Sequence, residues 1–263
     1  MQRGKSVSRE TSVVEGWRVQ DEYALLSIAV GPTANCWPER SQLNEYANGI
    51  HKAYVELLVR YQGTLDLLSG QGLKDIDRLV AESVAYAEAV EKVAGDHAKV
   101  VDVGSGAGLP GIVMAASLPE ASFVLVERRR RRGAFLELAA SRLGLANVRV
   151  IKGDVRDIVD LCADVITAQA VAKMAEVVRL TRHLHSETCH VVSRRGPEWL
   201  QEIPAVTDLL KQERMDSEHA DDDISTSAED GPAVAVAVER RLDHRGSLIA
   251  LRLTGGPACR SSG

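Results

Sequence analysis

Aromatic side chains are scarce in this chain: two phenylalanines, three tryptophans and five tyrosines make up 4% of its 263 residues. A protein that grips nucleic acid chiefly by stacking bases on aromatic platforms needs more of them, so that mode is excluded as the main one. Cysteine is equally sparse. Cys36, Cys162, Cys189 and Cys259 lie far apart and form no CxxC pair, which argues against a zinc site or a disulfide framework and for a reducing compartment. No window approaches the ~18 consecutive apolar residues of a membrane span. Met1–Glu10 is polar, and the short apolar stretch Tyr23–Val30 follows Asp21 and Glu22, the wrong flank for an export signal. The expectation is a cytoplasmic protein with no membrane contact.

What is present suits a folded body. Hydrophobic residues make up 45% and charged residues 26%, enough to build a core and to exclude global disorder. The net charge of −5 is unevenly distributed. Between Glu213 and Gly231 stand eight acids and one base, Arg214, a segment worth −7 that leaves the remainder at +2. A mildly basic body permits an anionic partner.

Periodicity divides the chain into three regions. Residues 1–40 show no sustained period and read as a flexible extension. Residues 41–95 carry two amphipathic helices. One runs through Leu43, Tyr46, Ala47, Ile50, Tyr54, Leu57, Leu58 and Tyr61, with Gly63 interrupting it; the other runs from Ile76 through Val90 and stops near Gly95. From residue 96 onward the rhythm is strand, turn, helix, with strands at Lys99–Val103, Ser122–Glu127, Asn147–Ile151, Asp164–Ala168 and Cys189–Ser193. Helices are expected at Pro110–Leu118, Ala134–Leu143 and Met174–Leu184. This alternation predicts an α/β fold with a mainly parallel sheet covered on both faces. The acidic stretch 213–231 reads as a solvated loop, after which Ala233–Glu239 and Ser247–Leu253 form a terminal antiparallel pair.

The strongest chemical signal is Val101-Asp102-Val103-Gly104-Ser105-Gly106-Ala107-Gly108-Leu109-Pro110-Gly111. Alternating glycines directly after a strand let backbone pass close to a ligand, and the helix that follows directs its free N–H groups toward it. Glu127 closes the next strand, 23 residues after Gly104, where an acid accepts both hydroxyls of a ribose. The dinucleotide pattern GxGxxG fits poorly in either frame: from Gly104 it ends on bulky Leu109, and from Gly106 it encloses Pro110. Asp102 beside the tighter turn instead suits a ligand without pyrophosphate whose cationic amino group attracts a carboxylate. S-adenosylmethionine is such a ligand. Asp154, in Lys152-Gly153-Asp154-Val155 after the third strand, is placed to accept a hydrogen bond from an adenine amino group. Acids after three successive strands (Asp102, Glu127, Asp154) form the pattern of a Rossmann-like class I methyltransferase: a mainly parallel seven-stranded sheet with an antiparallel terminal strand, preceded by N-terminal helices.

The runs DVGSGAGLPGIVMA, LGLANVRVIKGDV and DVITAQAVAKM resemble the bacterial 16S rRNA methyltransferase G family, also called glucose-inhibited division protein B, over residues 43 to 253. The resemblance implies S-adenosylmethionine-dependent methylation of guanine N7 in 16S ribosomal RNA, with rRNA or the small ribosomal subunit as partner. It implies cofactor contacts at Asp102, Gly104, Ser105, Gly106, Gly108, Leu109, Glu127, Asp154, Val155, Arg156 and Gln169. The match departs from the family pattern in places. The family's T-A-R-A stands here as Thr167-Ala168-Gln169-Ala170, and its R-A-E aligns with Asp154-Val155-Arg156. Its His-x-x-Asp-Ser appears as Leu79-Val80-Ala81-Glu82-Ser83, and its W-N-x-x-x-N-L-T only as Tyr61-Gln62 and Asp66-Leu67-Leu68. The family's Lys-Gly after the fifth strand is Arg195-Gly196. These departures keep two other readings open: a methyltransferase with a different acceptor, or a non-catalytic cofactor-binding protein.

No acid–base residue is assigned, because guanine N7 carries an in-plane lone pair and has no proton to lose. Phosphates do need cations. Arg128, Arg129, Arg130, Arg131 and Arg132 follow the ribose-binding acid and oppose the dipole of the helix they begin, so they are the candidate RNA contacts together with Arg195. The acidic 213–231 segment is a candidate internal screen for them. His51 is placed on the polar side of its helix, and His183, His185 and His190 share no metal-ligand spacing, so no metal is expected. Ser105 does not sit in a nucleophile elbow.

Overall fold

A computed structural model describes residues 13–14, 17–18, 40–169, 171–218, 234–243 and 246–256. The N-terminal part consists of two-residue strands β1 (Val13–Val14) and β2 (Trp17–Arg18) and helices α1 (Arg40–Leu65), α2 (Gly70–Lys74) and α3 (Ile76–Ala94). The alternating part follows: β3 (Lys99–Val103), α4 (Gly111–Ser117), β4 (Ser122–Val126), α5 (Arg130–Arg142), β5 (Val148–Ile151), β6 (Ala163–Ala168), α6 (Met174–Thr181), β7 (His185–Arg195) and α7 (Ile203–Glu218). Strands β8 (Val234–Asp243) and β9 (Gly246–Thr254) close the described chain.

All strands join one sheet in the order β1-β2-β8-β9-β7-β6-β3-β4-β5. Strands β7, β6, β3, β4 and β5 run parallel, and β9 lies antiparallel between β7 and β8. The expected seven-stranded sheet with its reversed terminal strand is therefore present, and β1 and β2 extend its edge. The rest of the extension through residue 39 lies outside the described residues.

Side-chain alternation along each strand assigns the two faces. Val100 packs with α1, α3, α4 and α5 around Tyr54, Tyr86, Met114 and Phe135. Val101 and Val103 pack on the opposite face with Met174 and Val177 of α6 and Val206 and Leu210 of α7. The period also sends Asp102 to the α4 face.

Three elements differ from expectation. Gly63 does not end α1, which runs on to Leu65; one glycine costs a helix only ~1 kcal/mol. The chain turns instead at Asp66, whose φ of 48° is left-handed, and Gln62 seals the turn by donating to Leu68 O (2.6 Å) and accepting from Leu68 N (2.8 Å). Helix α7 was not foreseen and reaches Glu218, so the start of the acidic stretch is helical; residues 219–233 lie outside the described residues. Cys189 is a free buried thiol whose pKa burial raises to about 12, whereas Cys162 is disulfide-bonded, which the cysteine spacing did not announce. Among the described residues no helix is long and apolar enough to cross a membrane.

Candidate functional site

Strand β3 is the point where the parallel order reverses, since β4 continues on one side and β6 on the other. A crevice forms at such a point, beyond the carboxyl ends of the strands. Here it is a cavity of about 560 Å³, within the range of small-molecule sites. Its walls come from the glycine turn (Gly104, Gly106), Val126 at the end of β4 and Glu127 just after it, the segment after β5 (Gly153 to Arg156), Val171 and Ala172 after β6, and Glu176, Arg179 and Leu180 of α6.

The glycine turn is fixed by backbone geometry. Gly104 and Ser105 both donate to Val126 O, at 2.9 and 3.1 Å. Gly106 adopts a φ of +56° and Gly108 one of +97°, conformations that side chains with a Cβ resist. From outside the sheet, the Tyr54 hydroxyl of α1 donates to Ala107 O at 2.5 Å. Desolvation keeps that buried phenol protonated by raising its pKa well above the usual value.

Glu127 links this turn to α5. Its Oε2 accepts from Gly106 N (2.9 Å) and its Oε1 from Arg129 N (2.7 Å). Each oxygen retains a second lone pair, so the carboxylate can still take a pair of hydroxyls. Asp154 caps the short turn Val155–Asp157 and is clasped by Arg156, whose N and Nε reach Oδ1 at 3.0 and 2.9 Å and whose Nη2 reaches Oδ2 at 2.8 Å. Arg128 Nη1 stands 3.7 Å from Oδ2. The Arg156 hydrogen bonds, side chain first, hold the Asp154 carboxyl well below the ordinary range.

Of the predicted residues, Gly104, Gly106, Glu127, Asp154, Val155, Arg156, Arg128, Arg129 and Arg132 line the cavity, whereas Asp102, Ser105, Gly108, Leu109, Gln169, Arg130, Arg131 and Arg195 are not part of its wall. Asp102 stands behind the wall. It is buried, accepts from Thr167 Oγ1 at 2.7 Å, and leaves Oδ2 without a hydrogen-bond partner. That oxygen faces the start of α4, where a Cβ on Gly111 would lie 2.7 Å from it. The helix thus presents its first turn to Asp102, not to the cavity. Desolvation raises the Asp102 pKa to about 6. Ser105 Oγ is tied to Asp102 O at 2.9 Å.

Arg195 is also held inside. It donates to Ala172 O at 2.6 Å, lies 3.7 Å from Glu202, and its side chain is 12% exposed, so it is no free cation for RNA. His51 faces α4, with Nε2 3.4 Å from both Val113 O and Ser117 Oγ, correcting its assignment to a polar face. Burial pushes His185 down to about 3 and His190 to about 4. No cluster that could hold a metal occurs among the described residues. Sequence reasoning missed Glu176, Arg179 and Leu180; the signal was their i, i+3, i+4 spacing opposite the buried Met174, Val177 and Val178.

A reversed strand inserted beside a parallel sheet, with a glycine-turn cavity and a carboxylate at the switch point, defines a Rossmann-like methyltransferase. Trm5b of Pyrococcus abyssi shares this fold: it is 17% identical with a TM-score of 0.50, over 68% of this chain and 49% of that one. More particularly, residues 48–222 match the family model described as rRNA small subunit methyltransferase G, and the chain belongs to that family. It is 32% identical to the ribosomal RNA small subunit methyltransferase G of Neisseria gonorrhoeae, over 59% of this chain and 73% of that protein. It is 35% identical to the protein of that name from Acidothermus cellulolyticus, over 65% and 78%.

Proposed function

We infer that the chain transfers the methyl group of S-adenosylmethionine to guanine N7 of 16S ribosomal RNA. The observation that carries this is the composition of the cavity: the Glu127 carboxylate keeps two lone pairs beside a glycine turn, under a rim formed by Arg128, Arg129 and Arg132. The residues fit the cofactor. Glu127 would hold the ribose hydroxyls, Asp154 the adenine amino group, and Gly104 and Gly106 leave backbone open beside the chain that bears the sulfur. Bound S-adenosylmethionine supplies an electrophilic methyl group. The protein's part is to exclude water and to hold the guanine so that N7 points at that methyl, an entropic advantage that needs no general base. The exposed Arg128 and Arg129 would position the substrate by its phosphates.

The acceptor reading favours RNA over a small molecule because five arginines and three acids line the cavity and its mouth, leaving a positive field where the substrate enters. An rRNA acceptor, free or within the small subunit, would place the protein in the cytoplasm. Mass mapping of modified bases in 16S rRNA from cells with and without the gene tests this. One 7-methylguanosine should vanish in the deletion; an unchanged map rejects the acceptor and leaves the fold standing.

A further inference from the structure

Asp154 presents a conflict within the cavity. Each carboxylate oxygen offers two lone pairs. Both of those on Oδ1 are taken by Arg156 N and Nε, and Oδ2 holds Arg156 Nη2 and the longer Arg128 contact. An adenine amino group reaches this carboxylate only at Oδ2, in the place of an arginine. The two arginines are largely in solvent, with side chains 76% exposed at Arg128 and 64% at Arg156. While they face Asp154, their charge is neutralised and their donors are committed. A donor displaced from Oδ2 projects from the mouth of the cavity, free for a phosphate.

We infer that Asp154 couples the two substrates: binding the cofactor's base at Oδ2 displaces an arginine donor held there (Arg156 Nη2 or the longer Arg128 contact), and the freed donor then grips the RNA backbone. The inference rests on the cofactor reading above and adds an order to it. The loaded protein binds RNA more tightly than the empty one, and by linkage RNA tightens cofactor binding by the same factor. The device favours RNA engagement while the adenosyl group of donor or product occupies the cavity, and it loosens RNA once that group leaves. Exposed ion pairs are weak, so the coupling belongs at the lower end of the usual range, ~5–10-fold.

The test measures the Kd for a fluorescent 16S rRNA transcript at fixed salt, with and without saturating S-adenosylhomocysteine. Wild-type protein should bind RNA ~5–10-fold more tightly with S-adenosylhomocysteine present. Asp154→Asn, which no longer neutralises the arginines, should bind RNA tightly already when empty and lose the coupling. Arg156→Gln should bind S-adenosylhomocysteine more tightly than wild type, because Asp154 is vacated. Equal RNA affinity with and without S-adenosylhomocysteine, in a wild type shown by calorimetry to bind it, overturns the inference and leaves the cofactor reading intact. So does full coupling in Asp154→Asn. A wild type that binds no S-adenosylhomocysteine removes the cofactor reading, and the inference with it.

Discussion

Gly108 and Asp102 show how single residues set the geometry of the site without lining it. A Cβ on Gly108 would lie 2.7 Å from Ile112 Cγ1 and 2.8 Å from the Tyr54 hydroxyl oxygen, on a backbone whose φ is +97°. Gly108→Ala should cost ~1–3 kcal/mol through backbone strain alone, read as a lower urea midpoint, and should weaken S-adenosylhomocysteine binding by disturbing the turn. Asp102 makes a pH-dependent contribution. Its folded pKa of about 6 stands above its unfolded 3.8, so the native state holds the proton more firmly than the unfolded chain. Its contribution is therefore most favourable below pH 4. It declines as pH rises from 4 to 6 and above that amounts to a penalty of ~3 kcal/mol. Asp102→Asn cannot ionise. The stability difference between variant and wild type should shift in the variant's favour across that window; a flat difference between pH 4 and 7 would show that the carboxyl is not titrating there.

Among the elements, α1 does more than cover the sheet. Its Tyr54 hydroxyl bonds the Ala107 carbonyl at the centre of the glycine turn, so Tyr54→Phe leaves a buried acceptor unsatisfied at a cost of ~1–3 kcal/mol and should raise the Kd for S-adenosylhomocysteine. Tyr61→Phe, on an α1 tyrosine whose ring packs beside Phe135 of α5, should stay within ~0.5 kcal/mol of wild type. The strands were legible because their apolar runs are short and end in glycine or acid: Lys99–Val103 agrees residue for residue with β3. The glycine turn and Glu127 were legible because spacing along a strand–turn–helix unit maps directly onto space. The direction of Asp102 was not legible, because its position beside the turn is set by spacing while its orientation depends on the two-residue period of β3, which aims it at α4. Helix α7 was overlooked since its apolar residues are few and its end merges with the acidic stretch. Arg195 looked like a surface cation because sequence shows charge but not the Ala172 carbonyl and Glu202 that engage it.

For the whole molecule, the question is how a chain of net charge −5 holds a polyanion. The answer lies in where the charge sits. The excess of acid over base concentrates in the 213–231 stretch, while Arg128 and Arg129 stand exposed at the mouth of the cavity and Arg132 anchors itself to Asp66 O at 2.6 Å. Local field, not net charge, then governs association. Each phosphate neutralised by such a cation releases counterions and steepens the fall of affinity with salt, by ~0.7 in the log–log slope for single strands and ~0.9 for duplex. Replacing Arg128 and Arg129 together by Ala should therefore flatten the slope for a 16S rRNA transcript by ~1.4–1.8, while Asp66, Arg132 and the glycine turn keep their contacts. S-adenosylhomocysteine binding should persist in this double variant, since neither side chain holds Glu127; only the backbone N–H of Arg129 does. An unchanged slope would mean that the RNA approaches from another side, and the positive rim would then serve only to balance the acids that line the cavity.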